Sequence, residues 1–115
     1  MTNGTHRDVL LLERLIEHLQ YAHADVSQFK DSEALARSRR DQNSASKEIE
    51  LAQECAKELS KNTINRFPSV RWKELRGLRN VIVHEYGELD WDVLYDTVMI
   101  DFPPMIETLK KVQQE

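Results

Sequence analysis

The chain has 115 residues, of which 40% are hydrophobic and 31% are charged, and its net charge is −4. This length suits one domain with one core, and the small number of glycines and prolines, three of each, argues against a disordered or all-β chain. The acidic balance argues against a general nucleic-acid binder. No apolar run approaches the roughly 20 residues of a membrane span, and no signal segment opens the chain. We therefore expect one all-α domain over residues 1–115, located in the cytoplasm.

The first predicted helix runs from about Arg7 to Phe29. Its apolar and small residues recur with helical spacing on one stripe: Leu12, Leu15, Ile16, Leu19, Ala22 and Val26. His23 lies on the same stripe without a second metal-type residue beside it. We interpret it as a histidine of the helix face and not as a ligand.

The second predicted helix begins after Asp31 or Ser32 as N-cap and continues to Leu59. Only its second half has an apolar stripe, formed by Ala45, Ile49, Ala52, Ala56 and Leu59. The run Arg37–Ser44 contains no apolar residue, so an exposed helix, a mobile loop and a basic nucleic-acid contact all remain open for it. Cys55 is the single cysteine. It has no partner for a disulfide or a metal site, so we expect it to pack between helices.

The third predicted helix follows a turn at residues 67–69 and is capped by Ser69. Its expected buried positions are Trp72, Leu75, Leu78 and Ile82. Gly87 is the natural residue to end this helix.

The last predicted helix begins at Asp90 as N-cap. Its apolar face comprises Trp91, Leu94, Val98, Phe102, Met105, Leu109 and Val112. Pro103 and Pro104 must kink or interrupt it, but the stripe keeps its phase across them, which favours two helical pieces on one core.

Charge is divided along the chain. Residues 61–79 hold six bases and one acid, a local charge of +5, whereas residues 85–115 hold eight acids and two bases, a local charge of −6. A basic face beside an acidic one suits a protein that meets an anion on one side and a basic partner on the other. Solvated helix faces produce such blocks as well.

The segment from Arg79 to Tyr86 places an arginine, a histidine and a tyrosine inside otherwise apolar sequence. An arginine can hold a phosphodiester, a histidine can move protons near neutral pH, and a tyrosine hydroxyl can be modified. On an ideal helix Tyr86 returns to the face of Arg79, but His84 lies about 140° away around the axis. A bend near residues 84–86 or a second chain would have to complete the site.

A purely structural interpretation of the same residues remains open. A histidine at a helix end, with an arginine about one turn earlier, can cap carbonyls in a buried polar cluster. It can also pair with Glu85 or Glu88.

The motif resembles that of HepT-like proteins of the HEPN superfamily, whose hallmark is Arg, four residues, His, one residue, Tyr. Arg79, His84 and Tyr86 match it, and Asn80 matches the asparagine after the arginine. Similar residues also flank the motif across nearly the whole chain, at Arg7-Asp8, 54–60, Trp72 and Leu89-Asp90. The chain departs from the family at residues 48–54, where a recurrent Asn-Leu-x-x-Ile-Gly-Glu stretch is absent.

The resemblance implies an antiparallel bundle of four main helices that forms a homodimer and acts as a metal-independent endoribonuclease toxin. Arg79 and His84 would be catalytic, with Asn80 and Tyr86 in support, and RNA would be the substrate. No metal or cofactor is expected.

The resemblance also implies a partner, an MntA-like minimal nucleotidyltransferase antitoxin that transfers AMP from ATP to Tyr86, so that only the partner uses ATP. The alternative is a noncatalytic accessory subunit that presents substrate or nucleotide to such a transferase.

Overall fold

The structure is a computed structural model that describes residues 3–113, with side chains described for residues 6–111. Within this range every regular element is helical. The α-helices are α1 (Asn3–Ser27), α2 (Ser32–Ala36), α3 (Arg39–Glu58), α4 (Lys61–Arg66), α5 (Trp72–His84), α6 (Trp91–Asp96) and α7 (Phe102–Gln113). A 3₁₀ turn spans Tyr86–Glu88, and a π-helical turn spans Thr97–Asp101. The all-α prediction is confirmed.

Four long helical rods make the bundle: α1, α3, α5, and α6 continued through the π turn into α7. The whole stripe predicted for α1 is buried, as are the predicted positions of α3. Hydrogen bonds join Ser60 to Asp8 and Ser44 to Asp25, so α1 and α3 run antiparallel. Cys55 is partly buried against the same core, as expected, and burial raises the pKa of its thiol.

The second predicted helix is wrong as a single element, because the chain breaks it in two. Asp31 is the N-cap as predicted and accepts a hydrogen bond from the Ala34 N–H at 2.9 Å, but this helix ends at Ala36. The chain then turns at Arg37 and Ser38, and α3 starts at Arg39. Leu35 is fully buried between these elements. From Arg39 onward, the interpretation of the polar run as a helix is right.

Ser60 lies just beyond the second predicted helix, and a further short helix that the sequence did not indicate, α4, begins there. Ser60 is its N-cap and accepts a hydrogen bond from the Thr63 N–H at 3.3 Å. The Ser60 and Thr63 hydroxyls each donate to Asp8 Oδ2 at 2.6 Å. Asp8 and Thr63 are both buried. This cluster of three residues joins the start of α1 to the junction between α3 and α4.

The predicted cap of α5 is also wrong. The helix starts at Trp72 with Arg71 as its N-cap, and not directly after Ser69. The Trp72 Nε1–H donates to the Phe67 carbonyl at 3.1 Å, which fixes the turn from the helix side. Leu75, Leu78 and Ile82 are buried as predicted, and Trp72 is partly buried.

Asp90 is the N-cap of α6, as predicted, and accepts hydrogen bonds from the N–H groups of Asp92 and Val93. Pro103 and Pro104 cannot donate the hydrogen bonds that an α-helix needs at their positions. The chain widens into the π turn just before them, where the Phe102 N–H donates to the Thr97 carbonyl. The apolar stripe stays buried from Leu94 to Leu109, as expected for two pieces on one core. Val112 lies outside the described side chains.

Candidate functional site

The motif occupies the end of α5 and the 3₁₀ turn that follows. The helix stays regular through His84 and ends at Glu85, whose N–H donates to the Val81 carbonyl and whose backbone leaves helical geometry at φ −144° and ψ 44°. This break falls after His84, so it does not re-aim the imidazole. Arg79 and His84 therefore keep the separation of about 140° around the axis. Gly87 does not end the helix, and its φ is not positive, so the prediction for it is wrong.

Arg79 lies at the mouth of a small cavity between α3 and α5. Its guanidinium is partly buried, and Nη1 donates to Asn80 Oδ1 at 3.2 Å. The cavity measures about 250 Å³ and is lined by Gln53, Glu54, Lys57, Arg76, Arg79 and Asn80. The structure thus brings Arg79 and Asn80 together in a basic environment that can hold a phosphate.

His84 is exposed on the other side of the helix. Within residues 6–111 no hydrogen bond or ion pair reaches its imidazole, from Glu85, Glu88 or any other residue. The interpretation of the motif as a buried polar cluster is wrong, because residues 83–88 are all exposed. In a single chain the imidazole is therefore free to act on a ligand but does not reach Arg79.

Tyr86 lies in the 3₁₀ turn after α5 and contacts the start of α3. Its hydroxyl donates to Asn43 Oδ1 at 2.6 Å, and its ring packs edge-on against Trp91 with centroids 5.9 Å apart. The residue is still 38% exposed. The contact gives the polar run at the start of α3 a defined place beside the motif.

Sequence reasoning missed three of the residues around the motif: Asn43, Lys57 and Arg76. Asn43 and Lys57 face the motif helix because α3 and α5 run antiparallel, with Asn43 near Tyr86 and Lys57 near Arg76, which lies on α5 itself. The helical spacing of Arg76, Arg79 and Asn80 was a signal that could have found Arg76. Asn43 and Lys57 carry no local signal, since only the packing of α3 on α5 brings them there.

Two further features bear on the kind of site. Among the side chains that the structure describes, no group of three or more His, Cys, Asp or Glu is placed to hold a metal ion. In the described part of the chain, residues 3–113, no helix combines the length and apolar character of a membrane span.

A helical bundle that carries Arg, four residues, His, one residue and Tyr at the end of a core helix has the features of a HEPN domain. The sequence model of the family described as "Ribonuclease HepT-like" matches residues 12–112. The chain therefore belongs to the HepT-like ribonuclease family of the HEPN superfamily.

Individual relatives support the same assignment at low identity. A protein of Caldanaerobacter subterraneus subsp. tengcongensis named "Putative RNase" is 27% identical over 67 residues, which is 58% of this chain and 60% of the relative. A protein of the same name from Methanocaldococcus jannaschii is 34% identical over 55 residues, 48% of this chain and 50% of the relative. The chain thus spans about half to three-fifths of the length of the curated relatives it matches. No solved structure gives a significant match.

Proposed function

We propose that this protein is a metal-independent endoribonuclease toxin that acts as a homodimer through a cleft containing Arg79 and His84. The observation that carries the proposal is geometric. Arg79 and His84 sit on one regular helix about 140° apart, and the exposed imidazole has no partner within the described chain. A second copy related by a two-fold axis can place the Arg79 of one subunit beside the His84 of the other.

The proposed chemistry uses the RNA's own nucleophile. The ribose 2′-OH attacks the adjacent phosphorus and gives its proton to a base, a new P–O bond forms, and the bond to the 5′ oxygen breaks as that oxygen takes up a proton. His84 carries the proton, and Arg79 stabilises the negative charge that builds on the phosphoryl oxygens. Asn80, which accepts a hydrogen bond from Arg79, orients the guanidinium. The products carry a 2′,3′-cyclic phosphate and a 5′-OH.

Mixed dimers test the composite site directly. Arg79→Ala and His84→Ala chains, each inactive as a homodimer, are co-expressed with two different tags and the mixed dimer is purified through both. A site shared between subunits leaves one of the two sites complete, so we expect about half of the wild-type cleavage rate. A mixed dimer as inactive as its parents would show that each site lies within one chain.

The substrate provides the matched control for the reaction itself. An RNA that carries a single 2′-deoxy nucleotide at the cleavage position lacks the nucleophile there, so this bond should resist cleavage while cleavage at other positions continues. Cleavage at the deoxy position, or a wild-type protein that cuts no RNA at all, would contradict the ribonuclease proposal.

The proposal extends to Tyr86 as the acceptor of AMP from a minimal nucleotidyltransferase antitoxin. The residue is partly exposed, and AMP on its hydroxyl would add a negative phosphodiester to the turn that follows the motif helix. That charge would compete with an RNA phosphate for Arg79.

Tyr21 offers a matched control for this step, because it is 51% exposed on α1 and more open than Tyr86. After incubation with the proposed nucleotidyltransferase antitoxin and ATP, mass spectrometry should locate AMP on Tyr86. Tyr86→Phe should abolish the adduct and Tyr21→Phe should leave it unchanged. An adduct that follows exposure, on Tyr21, would contradict the assignment.

A further inference from the structure

Two neighbouring cavities lie in the groove between α3 and α5, and the first of them is the cavity lined by Arg79. A second cavity of about 280 Å³ shares three residues with the first, Gln53, Lys57 and Arg76, and extends toward Trp72. Arg76 lies one turn before Arg79 on the same face of α5, a displacement of about 4.5 Å along the axis. The groove therefore has room for more than the group that Arg79 would hold.

The residues that line the first cavity carry a net positive charge. Lys57, Arg76 and Arg79 line the first cavity with Glu54 as the only acid. None of these three bases forms an ion pair with another residue among the described side chains. Three cations beside a single acid leave a positive local charge, which attracts an anion.

Gln53 lines both cavities and contributes a buried polar atom, Oε1, without a hydrogen-bond partner among the described residues. A buried acceptor left unpaired costs free energy that a bound ligand can recover. An amide that has no fixed partner can turn toward a ligand in the groove.

We propose that Lys57 and Arg76 bind the RNA phosphate next to the scissile one, with Gln53 contacting the same nucleotide. This subsite rests on the proposed ribonuclease function, and it assigns to Arg79 the scissile phosphate and to the pair one turn away its neighbour on the strand. The site would favour strands over nucleoside monophosphates, because a strand presents two successive phosphates and a monophosphate presents one.

Substrates of different length separate this subsite from the reaction centre. Lys57→Gln and Arg76→Gln are compared with wild type on an oligoribonucleotide and on a dinucleoside monophosphate, which has the scissile phosphate only. On the oligonucleotide each variant should raise KM about tenfold, since a charge-assisted contact is lost. The salt dependence of log KM should fall by about 0.7 for one lost contact to a single strand. On the dinucleoside monophosphate both variants should match wild type.

Matched variants show that charge in the groove is responsible. Lys110→Gln removes one exposed positive charge from α7, away from both cavities, and should change neither substrate. Lys57→Arg and Arg76→Lys keep the charge and should retain most of the oligonucleotide binding. Equal losses on both substrates, or no loss on the oligonucleotide, would overturn the subsite.

Binding in a His84→Ala background keeps the two proposals apart. The dissociation constant for an uncleaved oligoribonucleotide should increase about tenfold when Lys57 or Arg76 is also replaced by Gln. That increase in a protein whose wild type cuts no RNA would uphold the phosphate subsite and refute the nuclease. Unchanged binding beside normal wild-type cleavage would refute the subsite alone.

Discussion

Two polar clusters at helix ends contrast sharply in this molecule. Asp8, Ser60 and Thr63 meet at the start of α1, with Asp8 and Thr63 buried and the hydroxyl groups of Ser60 and Thr63 donating to one carboxylate. At the end of α5, Arg79 and His84 lie apart, and the imidazole has no hydrogen bond or ion pair within the described side chains. The first cluster is complete in one chain and serves stability. The second is incomplete in one chain, as the proposed site shared between two subunits requires.

The contrast shows how to separate structural from functional polar residues. Burying a carboxylate is tolerated only when its hydrogen bonds are satisfied, as they are at Asp8. An exposed residue without a partner contributes little to folding, so its effect should appear in activity. His84→Ala and Asp8→Ala should therefore each affect one of the two quantities, cleavage or stability, and leave the other nearly unchanged.

The largest expected effect is on cleavage. His84→Ala should lower the rate of RNA cleavage about 10²- to 10⁴-fold, the usual loss for a general acid or base. Because His84 is exposed and unpaired, the free energy of unfolding should stay within about 0.5 kcal/mol of wild type. Gel-based cleavage rates and urea denaturation measure the two quantities on the same samples. Wild-type cleavage by the variant would remove the contrast.

Asp8→Ala should have the opposite profile. It leaves the buried Thr63 hydroxyl and the start of α4 without their acceptor, so we expect a loss of about 2 kcal/mol in the free energy of unfolding. Urea denaturation checks this value. The cleavage rate per folded molecule should not change. A variant that is as stable as wild type would show that the cluster is not a structural anchor.

Acid should weaken the same anchor. Burial alone raises the pKa of the Asp8 carboxyl, but hydrogen bonds from Ser60 and Thr63 outweigh it and hold the pKa below the ordinary value of 3.8. A pKa lowered by folding means that the contribution is fully present above the unfolded pKa and is lost as the pH falls through the folded one. The stability difference between wild type and Asp8→Asn should therefore shrink only below about pH 4. A difference that already shrinks near neutral pH would contradict the assignment.

The smallest effect is expected at Gly87→Ala. Gly87 has no positive φ, and an added Cβ would meet no atom within 4 Å. The free energy of unfolding should change by less than about 0.5 kcal/mol, and calorimetry would detect more. A large loss would restore the helix-ending role that the sequence predicted for this glycine.

The apolar stripes carried most of the fold prediction. Leu12 to Val26 and Leu94 to Leu109 are buried as their spacing predicts, because a helix face must bury its apolar side whatever lies opposite. The break at Arg37 and Ser38 was missed, since nothing in the polar run marks where α2 ends. The start of α4 was missed because Ser60 is fixed by Asp8, 52 residues away in sequence.

The motif predicted which residues belong to the candidate site but not how they are arranged. Arg79, Asn80, His84 and Tyr86 can be read from the sequence, whereas Asn43 and Lys57 reach them only through the antiparallel packing of α3 on α5. The position of the helix end decides whether one chain can gather the site. That end depends on the backbone of Glu85, where the sequence indicated Gly87 instead.

The edge-on contact between Tyr86 and Trp91 would let the fluorescence of Trp91 report the proposed AMP modification of Tyr86. Trp91 is one of two tryptophans, and Trp72→Phe would leave its indole as the sole tryptophan emitter. AMP attached to Tyr86 would displace or cover the ring that touches this indole. The emission of Trp91 should then shift as the antitoxin works, which would let the modification be followed in real time without a label.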